Sequence, residues 1–181
     1  MRQRVAIFVL GRGVDRGVDD VAGVEGGVGL VDELRDLLVQ LASLLGLQRD
    51  KARSLGLTPL ARIVASAVSG LAPEIMGVGP IEACRKVLAQ AGMSIGDIDV
   101  VELNEAFAAQ VVPCRDELGI DSEKLNPFGG AIALGHPFGM TGARIMTTLL
   151  NDLETLDKTY GIESMCVAGG MGMAMLVERL N

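Results

Sequence analysis

From about residue 51 onward, hydrophobic positions recur with two alternating periods. The run PLARIVASAV (59–68) of small and β-branched residues predicts a strand. GPIEACRKVLAQAG (79–92) predicts a helix, with Pro80 near its first turn and Ile81, Cys84, Val87, Leu88 and Ala91 on one face. DIDVVEL (97–103) predicts a short buried strand. NEAFAAQVVPCRDELG (104–119) follows at once as a helix that Pro113 should kink or cut short. MTGARIMTTLLNDLETLDK (140–158) lines Ala143, Met146, Leu149, Leu150, Leu153 and Leu156 along one helical side. SMCVAGG and MAMLVERL (164–170 and 173–180) predict two strands joined at a glycine turn. Strands alternating with helices predict a layered α/β domain.

The first fifty residues have a different texture. Residues 11–29, GRGVDRGVDDVAGVEGGVG, hold seven glycines, which argues against a packed element. Three readings stay open for this stretch: a flexible lead, a phosphate loop, or GC-rich DNA translated out of frame. The phosphate loop is the weakest, because Gly11, Gly13 and Gly17 miss the GxGxxG spacing. LVDELRDLLVQLASLLG (30–46) then stripes Leu30, Leu34, Leu37, Leu38, Leu41 and Leu45 along a helix, facing either a core or a partner. The expected organisation is an atypical segment over 1–50, a Gly/Val-rich lead plus an amphipathic helix, followed by an α/β domain over 51–181.

Composition narrows the function classes. With 49% hydrophobic and 22% charged residues, the 181-residue chain reads as globular. A net charge of −7 without a lysine or arginine run speaks against non-specific nucleic-acid binding. No apolar run approaches the roughly 18 residues of a membrane span, and the short apolar run near the start falls below a secretory signal of about 7–15. The expected location is the cytoplasm, with no membrane association. Three scattered cysteines suit free thiols in a reducing compartment. Without a CxxC pair, no metal site is expected from them.

Three residues invite chemistry. Asn104 falls where a buried strand ends, the edge at which open α/β sheets bind ligands; position alone favours an ordinary N-cap over a ligand site. His136, the only histidine, sits in GGAIALGHPFGMTGAR (129–144), where glycines let backbone approach and Pro137 stiffens the turn. Such rigid placement serves a general base or an oxyanion donor, though a satisfied core histidine would look similar. Cys166 leads CVAGGMG from a hydrophobic strand into a glycine turn, either as a buried thiol or as a reactive one.

Together NEAFAAQ, GGAIALGHPFGMTGAR and CVAGGMGMA, in this order and spacing, resemble the C-terminal half of thiolases, the acyl-CoA acyltransferases. The preceding KARSLGLTPLARIVASAVSGLAPEIMGVGPIEACRKVL is similar to the same family, so the resemblance runs from about Lys51 to Leu180. It implies a thiolase-like layered α/β/α fold, here a C-terminal half with a mixed sheet flanked by helices. It also implies acetyl-CoA acyltransferase chemistry of fatty acid metabolism and β-oxidation: thiolysis of 3-ketoacyl-CoA or Claisen condensation of acetyl-CoA. No cofactor is implied; the CoA thioesters are substrates. By the same resemblance His136 would activate a nucleophilic cysteine and steady a thioester oxyanion. Asn104 would hold a water in that oxyanion hole, and Cys166 would act as acid and base. Met76, Ala106 and Phe107 match positions lining the pantetheine and acyl pocket.

The departures bear on activity. The family's nucleophilic cysteine and its AGNASG stretch have no counterpart here, and Cys84 and Cys114 fall inside helices without a matching motif. Ala168 stands where the family has a glycine, which would strain the turn if that position needs positive φ. The isolated chain is therefore expected to be inactive. Its implied partners are acyl-CoA, acetyl-CoA or CoA, and either a second copy in a homo-oligomer or a thiolase N-terminal half. The alternative is a non-catalytic half-thiolase acting as an interaction or CoA-binding subunit.

Overall fold

The computed structural model describes the backbone of Phe8–Leu10, the residues Ala52 and Ser54, and residues 56–180. The glycine-rich lead and the leucine-striped helix expected over 30–46 lie outside the described residues. A five-stranded mixed sheet has the order β1-β2-β5-β4-β3. Its strands are β1 (Phe8–Leu10), β2 (Ala61–Gly70), β3 (Val100–Leu103), β4 (Tyr160–Val167) and β5 (Met171–Arg179). β1 runs parallel to β2, and β3 parallel to β4; β5 lies antiparallel between β2 and β4. Helix α1 (Gly79–Ala91) follows a 3₁₀ segment, Pro73–Val78. Helix α2 (Ala108–Leu118), the single turn α3 (Ala131–Leu134) and helix α4 (Thr141–Thr155) occupy the connection between β3 and β4.

Two apolar clusters make the expected α/β/α layering. On one face Ala83, Cys84, Val87 and Leu88 of α1 pack against Ala65, Ala67, Ile162, Ala174 and Leu176. On the other, Met146, Leu149, Leu150 and Leu153 of α4 meet Ala61, Ile63, Val100 and Val177. Residues 61, 63, 65 and 67 share one parity, yet they divide between the two faces. A bulge between Ile63 and Ala65 accounts for this: Ile63 pairs with Val177 and Ala65 with Leu176, so the strand changes face there. The bulge lets one strand of small residues feed both cores.

Backbone contact locks α1 onto β5. A Cβ added to Gly172 would lie 2.1 Å from the carbonyl carbon of Gly79. Only glycine on both sides permits this approach. The Ser69 hydroxyl, fully buried on β2, donates to the Gly79 carbonyl at 2.7 Å and ties a third element into the junction.

Two expectations change. The helix after β3 begins at Ala108 rather than Asn104, because residues 104–107 stay outside any helix and Phe107 is extended. Asn104 is consequently not its N-cap. Pro113 also fails to end that helix, which continues to Leu118; the helix runs on through the residue that lacks an N–H.

Gly172→Ala should destabilise the domain by about 1–3 kcal/mol or more through overpacking. Gly142→Ala, on an exposed helical position with open space around the added methyl, should be neutral or stabilising by about 0.5–1 kcal/mol. Urea denaturation midpoints of the two variants check the contrast.

Candidate active site

Strands β2, β3 and β4 point the same way, so the segments leaving their C-terminal ends gather at one edge of the sheet. Three segments meet there: the Pro73–Val78 turn, residues 104–107, and the Ala168–Gly170 turn. The start of α4 joins them, because α4 must run back along the sheet to reach the beginning of β4. Its far end confirms the direction: a Cβ on Gly161, the second residue of β4, would meet Leu149 and Leu153. All six residues singled out by sequence therefore lie toward this edge.

Cys166 lies one residue before the end of β4, paired with Gly172 and 5% exposed. Burial raises its thiol pKa, with a backbone hydrogen bond opposing. Asn104 extends β3 by one residue: its N–H donates to the Ser164 carbonyl at 2.9 Å, continuing the ladder in which Leu103 pairs with Ser164. Its side chain is fully buried, and among the described residues neither amide atom meets a hydrogen-bonding group. His136 stands exposed between Gly135 and Pro137. Its Nδ1 contacts the Oγ1 of Thr141, the buried first residue of α4, so Nε2 is the nitrogen turned to other partners. Met76 is half-buried in the 3₁₀ segment, Ala106 is half-buried, and Phe107 is 74% exposed.

In the turn after Cys166 the condition for strain at Ala168 is not met. Positive φ falls on Gly169 (87°) and Gly170 (85°), while Ala168 is not among the residues with positive φ. Alanine at 168 therefore carries no left-handed strain.

The other thiols are poor nucleophiles. Burial pushes Cys84 up to about 12 and Cys114 up to about 11. Cys114 sits in α2, where its thiol meets Gln110 Nε2 at 3.5 Å and the Gly77 carbonyl at 3.7 Å. Among the described residues, no group of three or more His, Cys, Asp or Glu side chains is placed to hold a metal ion. No described helix is long and apolar enough to cross a membrane.

Sequence reasoning missed a set of acids, Glu102 and Asp152 buried and Glu163 half-buried. Glu102 on β3 and Glu163 on β4 are ladder partners. Glu102 is fully buried, and its pKa rises through burial and the nearby Asp152 carboxylate, with Arg144 opposing. Asp152 is raised by burial as well. Glu163 is pushed up to about 8 by burial alone. Nothing in a single sequence separates these acids from solvated ones, since each is flanked by ordinary strand or helix residues. Glu105 and Asn126 were missed too: the Asn126 amide donates to Glu105 Oε1 at 2.9 Å.

A final feature of this edge is its oily rim. Ile75, Phe107, Phe128, Ile132, Leu134 and Phe138 are all exposed, Phe138 completely. So many large apolar side chains left in water on the segments around one site are what a contact or ligand surface requires.

The layered fold is that of the thiolases. A crystal structure of the acetyl-CoA acetyltransferase of Bacillus anthracis matches it with a TM-score of 0.72 and 47% identity, over 74% of this chain and 34% of that one. Residues 57–179 match the model of the thiolase C-terminal domain, and the chain belongs to the thiolase family. It is 51% identical over 140 residues to the acetyl-CoA acetyltransferase of Escherichia coli (strain K12), covering 77% of this chain and 36% of that protein. It is 54% identical over 142 residues to the 3-ketoacyl-CoA thiolase of Aeromonas hydrophila subsp. hydrophila, covering 77% and 37%. The matched region thus spans about a third of the length of these curated relatives.

Two outcomes follow from the buried groups. Folding keeps Glu163 neutral, so between its ordinary 4.5 and about 8 the native chain binds more protons than the unfolded one. Its contribution is complete below 4.5 and is lost as pH rises through about 8. Glu102 acts in the same direction. Urea midpoints should fall from mildly acidic to alkaline pH, and Glu163→Gln should flatten the fall; an unchanged slope would remove Glu163 from the account. Iodoacetamide should label all three cysteines only after unfolding. Rapid labelling of Cys166 in the native chain would contradict its burial.

Proposed function

We propose that this chain supplies the acid–base and oxyanion half of a thiolase site. The substrates would be CoA thioesters, in thiolysis of a 3-ketoacyl-CoA or condensation of acetyl-CoA. In this reading the attacking cysteine comes from the N-terminal part of a thiolase, and no metal or further cofactor takes part. The observation that carries the proposal is the placement of Asn104 and Cys166 at the ends of two paired parallel strands, with the His136 turn leading into the helix packed on those strands.

In thiolysis, the external thiolate adds to the keto carbon and the bond between C2 and C3 breaks. The electron pair left on C2 is an acetyl-CoA enolate, and the Cys166 thiol delivers a proton to it. A thiol whose pKa burial has raised rests in the protonated form this step needs. CoA then takes the acyl group from the cysteine as a thioester. The Asn104 amide, without a hydrogen-bond partner among the described residues, is free to fix a water toward the developing oxyanion, and His136 Nε2 can donate beside it. Condensation is the reverse, with Cys166 as thiolate taking the α-proton. Met76, Ala106 and Phe107 line the approach for pantetheine and acyl groups. The exposed apolar rim favours assembly with the N-terminal half over a role as a solitary CoA-binding module. A cytoplasmic setting and a place in fatty-acid breakdown accord with this chemistry.

The test is a chimaera joining the N-terminal portion of the Escherichia coli relative to residues 51–181, assayed for acetoacetyl-CoA thiolysis beside the chain alone. The chimaera should turn over and the chain alone should not. His136→Ala or Cys166→Ala should each reduce the chimaera's kcat by at least about 10². Turnover by the chain alone, or a folded chimaera indifferent to both substitutions, would overturn the proposal.

A further inference from the structure

Between Asn104 and His136 lie 31 residues, containing α2 and α3, and the sheet ladder holds only the first of the two directly. What fixes the histidine-bearing turn to the end of β3 is a side-chain bracket. Asn126, in a left-handed conformation with φ 46°, lies along the open side of β3. Its backbone N–H donates to the Val101 carbonyl at 2.9 Å. Its side chain mimics a further strand residue: Oδ1 accepts the Leu103 N–H at 2.9 Å, and Nδ2 donates to the Leu103 carbonyl at 3.0 Å. The same Nδ2 donates to Glu105 Oε1 at 2.9 Å. The other carboxylate oxygen, Oε2, accepts the Ile132 N–H at 3.0 Å, at the start of the turn that leads through Gly135 to His136.

We infer that Glu105 is a positioning residue, its carboxylate bridging Asn126 to the Ile132 N–H and so setting where the His136 turn stands relative to the Asn104 strand end. This rests on the acyl-transfer reading of those two residues. Each carboxylate oxygen is committed to a different segment, and a charged acceptor forms stronger hydrogen bonds than a neutral one. The room for the carboxylate is built in. Gly130 has ordinary extended backbone, so its conformation does not demand glycine; a Cβ there would lie 2.4 Å from Glu105 Cδ. The glycine is required by the bracket, not by its own torsion angles. Thr141, touching the imidazole at Nδ1, then holds the far side of the turn to α4.

Because His136 is the only histidine, selective ¹⁵N,¹³C-histidine labelling of the full chain gives one imidazole spin system. In Glu105→Ala its resonances should shift and broaden. Glu105→Gln, which preserves volume but has one acceptor for two donors, should give an intermediate shift, and it carries the test if the alanine variant does not fold. Gly130→Ala should reproduce the shift by displacing the carboxylate, and should add nothing in a Glu105→Ala background. The control is Asp99→Ala, which removes a carboxylate accepting the Thr159 and Tyr160 N–H groups at 3.0 and 2.9 Å near the opposite end of the sheet. It should leave the imidazole signal in place even where its urea midpoint falls as far. An unmoved His136 signal in the Glu105 variants, or an equal movement in Asp99→Ala, would overturn the inference. Neither result depends on turnover, so a chimaera that fails to turn over counts against the acyl-transfer reading, while the imidazole signal separately decides whether Glu105 sets the position of the turn.

Discussion

The parallel ladder between β3 and β4 is the constraint on which the site depends. It pairs Leu103 with Ser164 and continues through the Asn104 N–H, so the amide and the Cys166 strand reach the same edge together. Parallel strands cannot be joined by a hairpin; the chain must cross back over the sheet. That crossover contains α2, α3 and α4, and it carries the histidine. A single choice of strand direction therefore brings the thiol, the amide and the loop with the imidazole to one end. An antiparallel β3 would have sent Asn104 to the opposite end from Cys166.

The two faces of the sheet have different electrical character. Toward α1 and α2 lie thiols and a Ser164 hydroxyl, and toward α4 lie Glu102, Glu163, Asp152 and Arg144. Burying carboxyls without full hydrogen bonding is costly; burial raises the pKa of each of these acids, and the Arg144 guanidinium opposes the rise at Glu102. Removing one partner from such a group is more disruptive than replacing the whole group with apolar side chains. Glu102, Asp152 and Arg144 influence one another between β3 and α4, whereas Glu163 responds to burial alone.

Much of the fold was legible because its elements repeat over several turns or alternate over several residues. The helices expected over 79–92 and 140–158 are Gly79–Ala91 and Thr141–Thr155. Sequence failed where a distant partner overrides local preference. Asn104 looks like a helix cap, but its N–H is taken by Ser164, and the helix waits until Ala108. The face change at Val64 carries no glycine or proline to announce it. The six candidate residues could be named from motifs, whereas Glu105 and Asn126, 21 positions apart, acquire a relation only when the chain has folded. At Ala168 the family pattern suggested strain that the turn avoids by placing its positive φ on Gly169 and Gly170.

The three phenylalanines whose side chains are described, Phe107, Phe128 and Phe138, all project into water, while the described residues of the two interior clusters include no phenylalanine and are chiefly aliphatic. Folding and contact are thus assigned to different kinds of residue. Leucine, isoleucine, valine and alanine hold the domain together, and the aromatic rings add nothing to that until something covers them. Selection on adhesion and selection on rigidity can then proceed at separate positions, so the rim can change its preferences without reopening the interior.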